Sequence, residues 1–171
     1  LVPFLHPDHE WMPHKLALQR PLMSACPDVL YCFSDFGLRR SAGAETRRFL
    51  AHWHRDPRSW SEILGPGVQF GALAPLPDDL HDFAVHVGSL YRNLLDRNYI
   101  ATFTLVVRRE AVGEARHFAE VVPTNEDWEC FARLAPAGRG AYLDCETAWQ
   151  YGHAGPRLTN ADDFQTATAQ L

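Results

Sequence analysis

Cysteine is sparse in this chain: Cys26, Cys32, Cys130 and Cys145 are its only thiols, and no two form a C-x-x-C pair. That spacing excludes a C-x-x-C metal or redox motif, and each thiol sits in an apolar or helical context where it packs as a small hydrophobe. No apolar run approaches the roughly 20 residues that span a bilayer, and no signal-like segment is visible. A cytoplasmic, reducing compartment is the expectation. Positive charge is not in excess either: 16 Lys plus Arg against 21 Asp plus Glu give a formal net charge of -5. This argues against a broad nucleic-acid footprint, so no nucleic-acid partner is expected. The pairs Arg39-Arg40, Arg47-Arg48 and Arg108-Arg109 read as solvated surface. Internal repeats, low-complexity segments and linkers are also absent, so residues 1–171 read as a single domain. What is present is a composition 46% hydrophobic and 12% aromatic, enough for one real core.

The opening LVPFL reads as the end of a strand, and Pro13 suits the first turn of a helix running to about Arg20, where Pro21 should stop it. Residues 27–36, PDVLYCFSDF, form an apolar aromatic run after a turn signal and read as a buried strand. DPRSWSEIL at 56–64 suggests a short helix. From Asp78 to Asn98, the apolar residues Leu80, Phe83, Val87, Leu90 and Leu94 fall at helical spacing and predict a helix. YIATFTLVVRR at 99–109 supplies β-branched and aromatic residues for a strand. A further helix is predicted over 123–135, with Thr124 as N-cap and Asp127 closing a capping box. AYLDCETAWQYGH then reads as one or two strands, followed by a polar tail.

Several polar clusters are candidates for chemistry. His6, Asp8, His9 and His14 offer nitrogen and oxygen donors to a divalent metal, although four polar residues at a strand-to-helix junction also serve to cap and solvate it. Glu126 and Asp127 place carboxylates at a helix start, where one facing a cleft can act as general base. The bland alternative is that the macrodipole and a capping box account for both. His153, beyond the last predicted strand, can ligate a metal or meet a phosphate, or simply be polar surface. His52 and His54 share one side if extended but have no cysteines or acids to complete a zinc pattern.

Taken in order, these segments resemble the second half of the family 2 glycosyltransferases, inverting enzymes with the GT-A nucleotide-sugar fold. FLHPDHEWMPHKLALQ is similar to that family's strand, acidic metal motif and helix, F-L-D-x-D-D-x-W-x-P-x-K-L. PDVLYCFSDF resembles the next strand, NYIATFTLVVRREAV the strand leading to the acceptor region, TNEDWECFARLA the E-D-W-E-x-x-x-R-L-A catalytic segment, and WQYGHAG the closing element. The resemblance implies an α/β fold, a partial GT-A mixed sheet with flanking helices. It implies transfer of a sugar from a nucleotide-sugar donor to a glycan or other hydroxyl acceptor, with peripheral membrane association as a further expectation. In that reading Asp127 is the catalytic base and Glu126 supports acceptor positioning. Arg133 and His153 bind on the cofactor side, and Asp8, His6 and His153 hold Mg²⁺ or Mn²⁺ against the donor diphosphate.

Two departures qualify the resemblance. His6 and His9 stand where the family has acids, and imidazole is a poorer donor to Mg²⁺ than to Mn²⁺. The family's N-terminal nucleotide-binding half is missing, and the apolar start at Leu1 looks like entry into the middle of a sheet, so the expectation is a fragment without turnover of its own. The alternatives are a non-catalytic accessory domain derived from such an enzyme, and a small histidine-rich zinc protein.

Overall fold

The long strand β3 (Val29–Arg39) and its parallel partner β8 (Arg139–Tyr151) form the axis of the molecule. In the computed structural model, which describes residues 1–5, 9–40, 43–119 and 125–152, they lie at the centre of a mixed eight-stranded sheet. Beside β3 are β7 (Val106–Val107) and then β1 (Val2–Pro3), both antiparallel, while β4 (Glu45–Thr46) pairs its end. Beside β8 are β6 (Ala84–Gly88) and β5 (Gly67–Gln69), also antiparallel. The short strand β2 (His9–Trp11) pairs the other end of β8, Trp11 opposite Ala148. The fold is therefore α/β, as expected, with helices on both faces of the sheet.

The side chains of β3 divide between the two faces, and irregularities in its pairing with β8 between Val29 and Tyr31 and between Ser34 and Gly37 break a strict alternation. Tyr31, Phe33 and Phe36 enter one apolar cluster, whereas Val29 and Cys32 enter the other. The first cluster is covered by α2 (Leu50–His54), α3 (Trp60–Leu64), α4 (Tyr91–Leu94) and α6 (Glu126–Leu134), which contribute Leu50, Leu64, Leu94, Phe131 and Leu134. A short helix, α5 (Arg109–Val112), adds Val112. The second is covered by α1 (Lys15–Ala25) through Leu18, Leu22 and Met23. Each such side chain contributes about 1.5–3 kcal/mol by leaving water.

That burial explains the first correction. α1 does not stop at Pro21 but continues through it to Ala25. Interior proline costs about 3 kcal/mol, less than the combined burial of Leu22 and Met23 just beyond it. The helix predicted over 78–98 is also wrong. Leu80, Phe83 and Val87 pack into the cluster beneath α1, whereas Leu90 and Leu94 pack into the opposite one. One helical face cannot serve both sides of a sheet, and the chain instead forms β6, crosses, and makes the single turn α4. Gly88 permits the crossing, because a Cβ there would lie 2.3 Å from the Leu64 carbonyl oxygen.

The strand predicted over 99–109 survives only as Val106–Val107. Tyr99, Ile100, Ala101, Phe103 and Leu105 are apolar because they are buried, not because they pair in a ladder. Thr102–Thr104 form a 3₁₀ turn. The helix predicted over 56–64 begins only at Trp60, capped by a box between Ser59 and Glu62. His52 and His54 lie in α2 rather than in extended chain, His54 buried and His52 exposed. Of the arginine pairs, Arg40, Arg47, Arg48 and Arg109 are exposed as expected, whereas Arg39 and Arg108 are half-buried, and several of them make specific contacts. Arg108 donates from Nη2 to the Met23 carbonyl at 2.6 Å, Arg39 stacks 4.0 Å from the Trp149 ring, and Arg48 donates to the Asp144 carbonyl at 2.9 Å.

Candidate functional site

The 3₁₀ turn Thr102–Thr104 is a junction for elements distant in sequence. Thr104 closes it locally, its N–H and Oγ1 both donating to the Ala101 carbonyl at 2.8 and 2.7 Å. From β2, Trp11 Nε1 donates to the Phe103 carbonyl at 3.1 Å, and the His9 ring stacks on the Phe103 ring at 3.7 Å. From α1, Lys15 Nζ and Gln19 Nε2 each donate to the Thr104 carbonyl at 2.7 Å. From the opposite side, α6 brings Asp127, whose Oδ2 accepts the Thr102 hydroxyl at 2.9 Å.

Asp127 owes its place to the start of α6. The preceding Asn125 has φ +60, a left-handed turn that asparagine tolerates and that re-aims the chain into the helix. Trp128 then fixes the helix by donating from Nε1 to the Leu94 carbonyl at 2.6 Å, while its N–H donates to Asp127 Oδ1 at 2.7 Å. Burial raises the Asp127 pKa above the ordinary carboxylate value, and the Thr102 and Trp128 hydrogen bonds work against that rise. A half-buried carboxylate with a raised pKa, held by two donors, is suited to accept a proton.

Glu126 lies beside Asp127 at the same helix start and is half-buried. Arg133, one face further along α6, bonds Glu129 Oε2 at 2.9 Å and the Ala115 and His117 carbonyls at 3.3 and 2.5 Å. It thus ties α6 to the segment that precedes it in the chain. His6, Asp8 and His153 lie outside the described residues, as does Thr124. Among the described residues no group of three or more His, Cys, Asp or Glu is arranged to hold a metal ion. His9, standing where the resemblance has an acid, is stacked against Phe103.

The chain matches no protein-family model, and no curated protein or solved structure matches it. No described helix is long and apolar enough to cross a membrane.

Sequence reasoning singled out Asp127 but missed Thr102, Gln19 and the role of Lys15. Thr102 alternates with Thr104 in a β-branched run and reads as strand, so its bond to Asp127, 25 positions away, has no local signature. A second buried polar group, on the seam between β3 and β8, was missed as well. Asp35 accepts the N–H of Phe36 at 2.7 Å and of Leu50 at 2.9 Å. Glu146 accepts the Arg48 N–H at 2.6 Å and pairs with Arg47, while Arg48 reaches Asp144 and Asp35. Those carboxylates are occupied by backbone donors and guanidinium groups, which makes this seam a latch for residues 47–50.

Proposed function

We propose that this chain is the metal-motif and acceptor-side half of a GT-A glycosyltransferase of family 2. It would transfer a sugar from a nucleotide-sugar donor to an acceptor hydroxyl with inversion. The observation that carries the reading is the Thr102–Thr104 turn, which joins β2 and α1, the tail of the acidic motif, to Asp127 at the head of the catalytic segment. In the resemblance these are separate motifs; here one backbone turn bonds to both.

In this reading Asp127 takes the proton from the acceptor hydroxyl. The acceptor oxygen then forms a bond to the anomeric carbon as that carbon's bond to the nucleoside diphosphate breaks, so the leaving electron pair goes to the diphosphate. Thr102 and the Trp128 N–H hold the carboxylate in one orientation and limit the rise in its pKa. Glu126 helps position the acceptor, and Arg133 secures the helix that carries both acids. Asp8, with His6 and His153, is the proposed holder of Mg²⁺ or Mn²⁺, which when bound neutralises charge on the departing diphosphate.

One observation favours a second reading. His9 is packed flat against Phe103, so the position of one motif acid has been given to ring stacking. An accessory domain that kept the fold and lost the metal would look this way. Titration of Mn²⁺ followed by electron paramagnetic resonance separates the two. Binding that disappears in Asp8→Ala supports the transferase, and no binding by the unaltered chain supports the accessory domain.

A further inference from the structure

We infer that Lys15 is a positioning residue for Asp127, acting with Gln19 through the Thr102–Thr104 turn. The inference rests on the transferase reading only in calling Asp127 a base; the linkage itself stands on the geometry. Lys15 is the only lysine in the sequence. It is also one of the most deeply buried side chains, 1% exposed, at the first residue of α1.

Burying an ammonium is costly unless every donor is matched, and among the described residues no carboxylate pairs with this one. Its partners are the Gln19 Oε1 at 2.8 Å, the Thr104 carbonyl at 2.7 Å and the face of the Trp11 ring at 5.5 Å. These match the three donors of an ammonium without neutralising it. Gln19, wholly buried, completes the arrangement. Its Nε2 donates to the same Thr104 carbonyl and, at 3.3 Å, to the Cys32 carbonyl in β3.

The Thr104 carbonyl thus receives two side-chain donors, and the Phe103 carbonyl receives Trp11. Every one of these bonds comes from the β2–α1 side and grips the backbone of the turn. The side of the turn left for α6 carries the Thr102 hydroxyl, which donates to Asp127. An apolar residue at the buried position 15 would escape the desolvation penalty, so burial alone does not account for a lysine there. Local rules of this kind are broken chiefly where function requires it.

The test reads the carboxyl ¹³C of Asp127 through a pH titration of the full chain, in the wild type and in Thr102→Val, Lys15→Met and Gln19→Met. Glu126 is the charged neighbour acting on Asp127 from its own helix, Thr102 faces it from the turn, and both Lys15→Met and Gln19→Met leave those groups in place. The Thr102 hydrogen bond holds the Asp127 pKa down, so Thr102→Val is expected to raise it. Lys15→Met and Gln19→Met, by loosening the turn, are expected to raise it in the same direction, by roughly half a pH unit. The inference is overturned if Thr102→Val leaves Asp127 unmoved, or if it moves Asp127 while the folded Lys15→Met and Gln19→Met chains titrate as the wild type. Should Lys15→Met fail to fold, Gln19→Met decides. Failure of the transferase reading would appear as absent Mn²⁺ binding, which leaves this titration unaffected.

Discussion

Among the buried polar groups of the described residues, the one on the β3–β8 seam and the one at the Thr102–Thr104 turn are built in opposite ways. On the seam, anions are buried beside cations: Asp35 and Glu146 meet Arg48 and Arg47, and backbone N–H groups take the remaining lone pairs. At the turn, the Lys15 amine, its pKa lowered by burial to about 7, sits among neutral oxygens and an indole, with no counter-charge among the described residues. The seam closes on itself and holds the segment at residues 47–50. The turn instead passes its fixed position on to one outward-facing hydroxyl and thence to Asp127. Charge pairing marks a structural latch, and an unpaired but fully hydrogen-bonded charge marks a place where geometry has been kept at some cost in stability.

The sharpest way to break this contrast is at the seam. Asp35→Ala strands the N–H groups of Phe36 and Leu50 in the core and is expected to cost about 2–4 kcal/mol in urea denaturation. If it costs nothing, the seam is not the latch described. At the turn, the effect is expected to have the opposite sign and to depend on pH. Burial lowers the Lys15 pKa from 10.5 to about 7, so between those values the unfolded chain binds more protons than the folded one. Stability of the wild type relative to Lys15→Met should therefore rise as pH increases from 7 to 10.5. The variant is expected to be more stable by about 1–3 kcal/mol at pH 7, with the gap closing toward the upper end. Parallel denaturation curves at the two pH values check this, and a gap that widens with pH would contradict the burial of a charged lysine.

The same contrast shows what the sequence made legible. β3 was readable at 27–36 because a doubly buried strand is a continuous apolar run, and α6 was readable because Trp128, Phe131 and Leu134 keep helical spacing. Residues 78–98 misled because their apolar set is divided between two faces of the sheet, a division with no trace in a one-dimensional period. Of the site, Asp127 was visible as an acid at a helix start. The turn that positions it was not, since its partners Trp11, Lys15, Gln19 and Thr102 are drawn from three elements and joined largely through backbone carbonyls. A sequence records side chains, and this junction is made mostly of main chain.

The central claim is that Asp127 serves as the base of a sugar transfer. It is tested most directly by measuring transfer from a panel of nucleotide sugars to hydroxyl acceptors, comparing the natural protein with its Asp127→Asn variant. The account predicts that kcat falls by between a hundred- and ten-thousand-fold, by order of magnitude, while KM for the donor stays near its wild-type value. Transfer by Asp127→Asn within about tenfold of the wild type would contradict it.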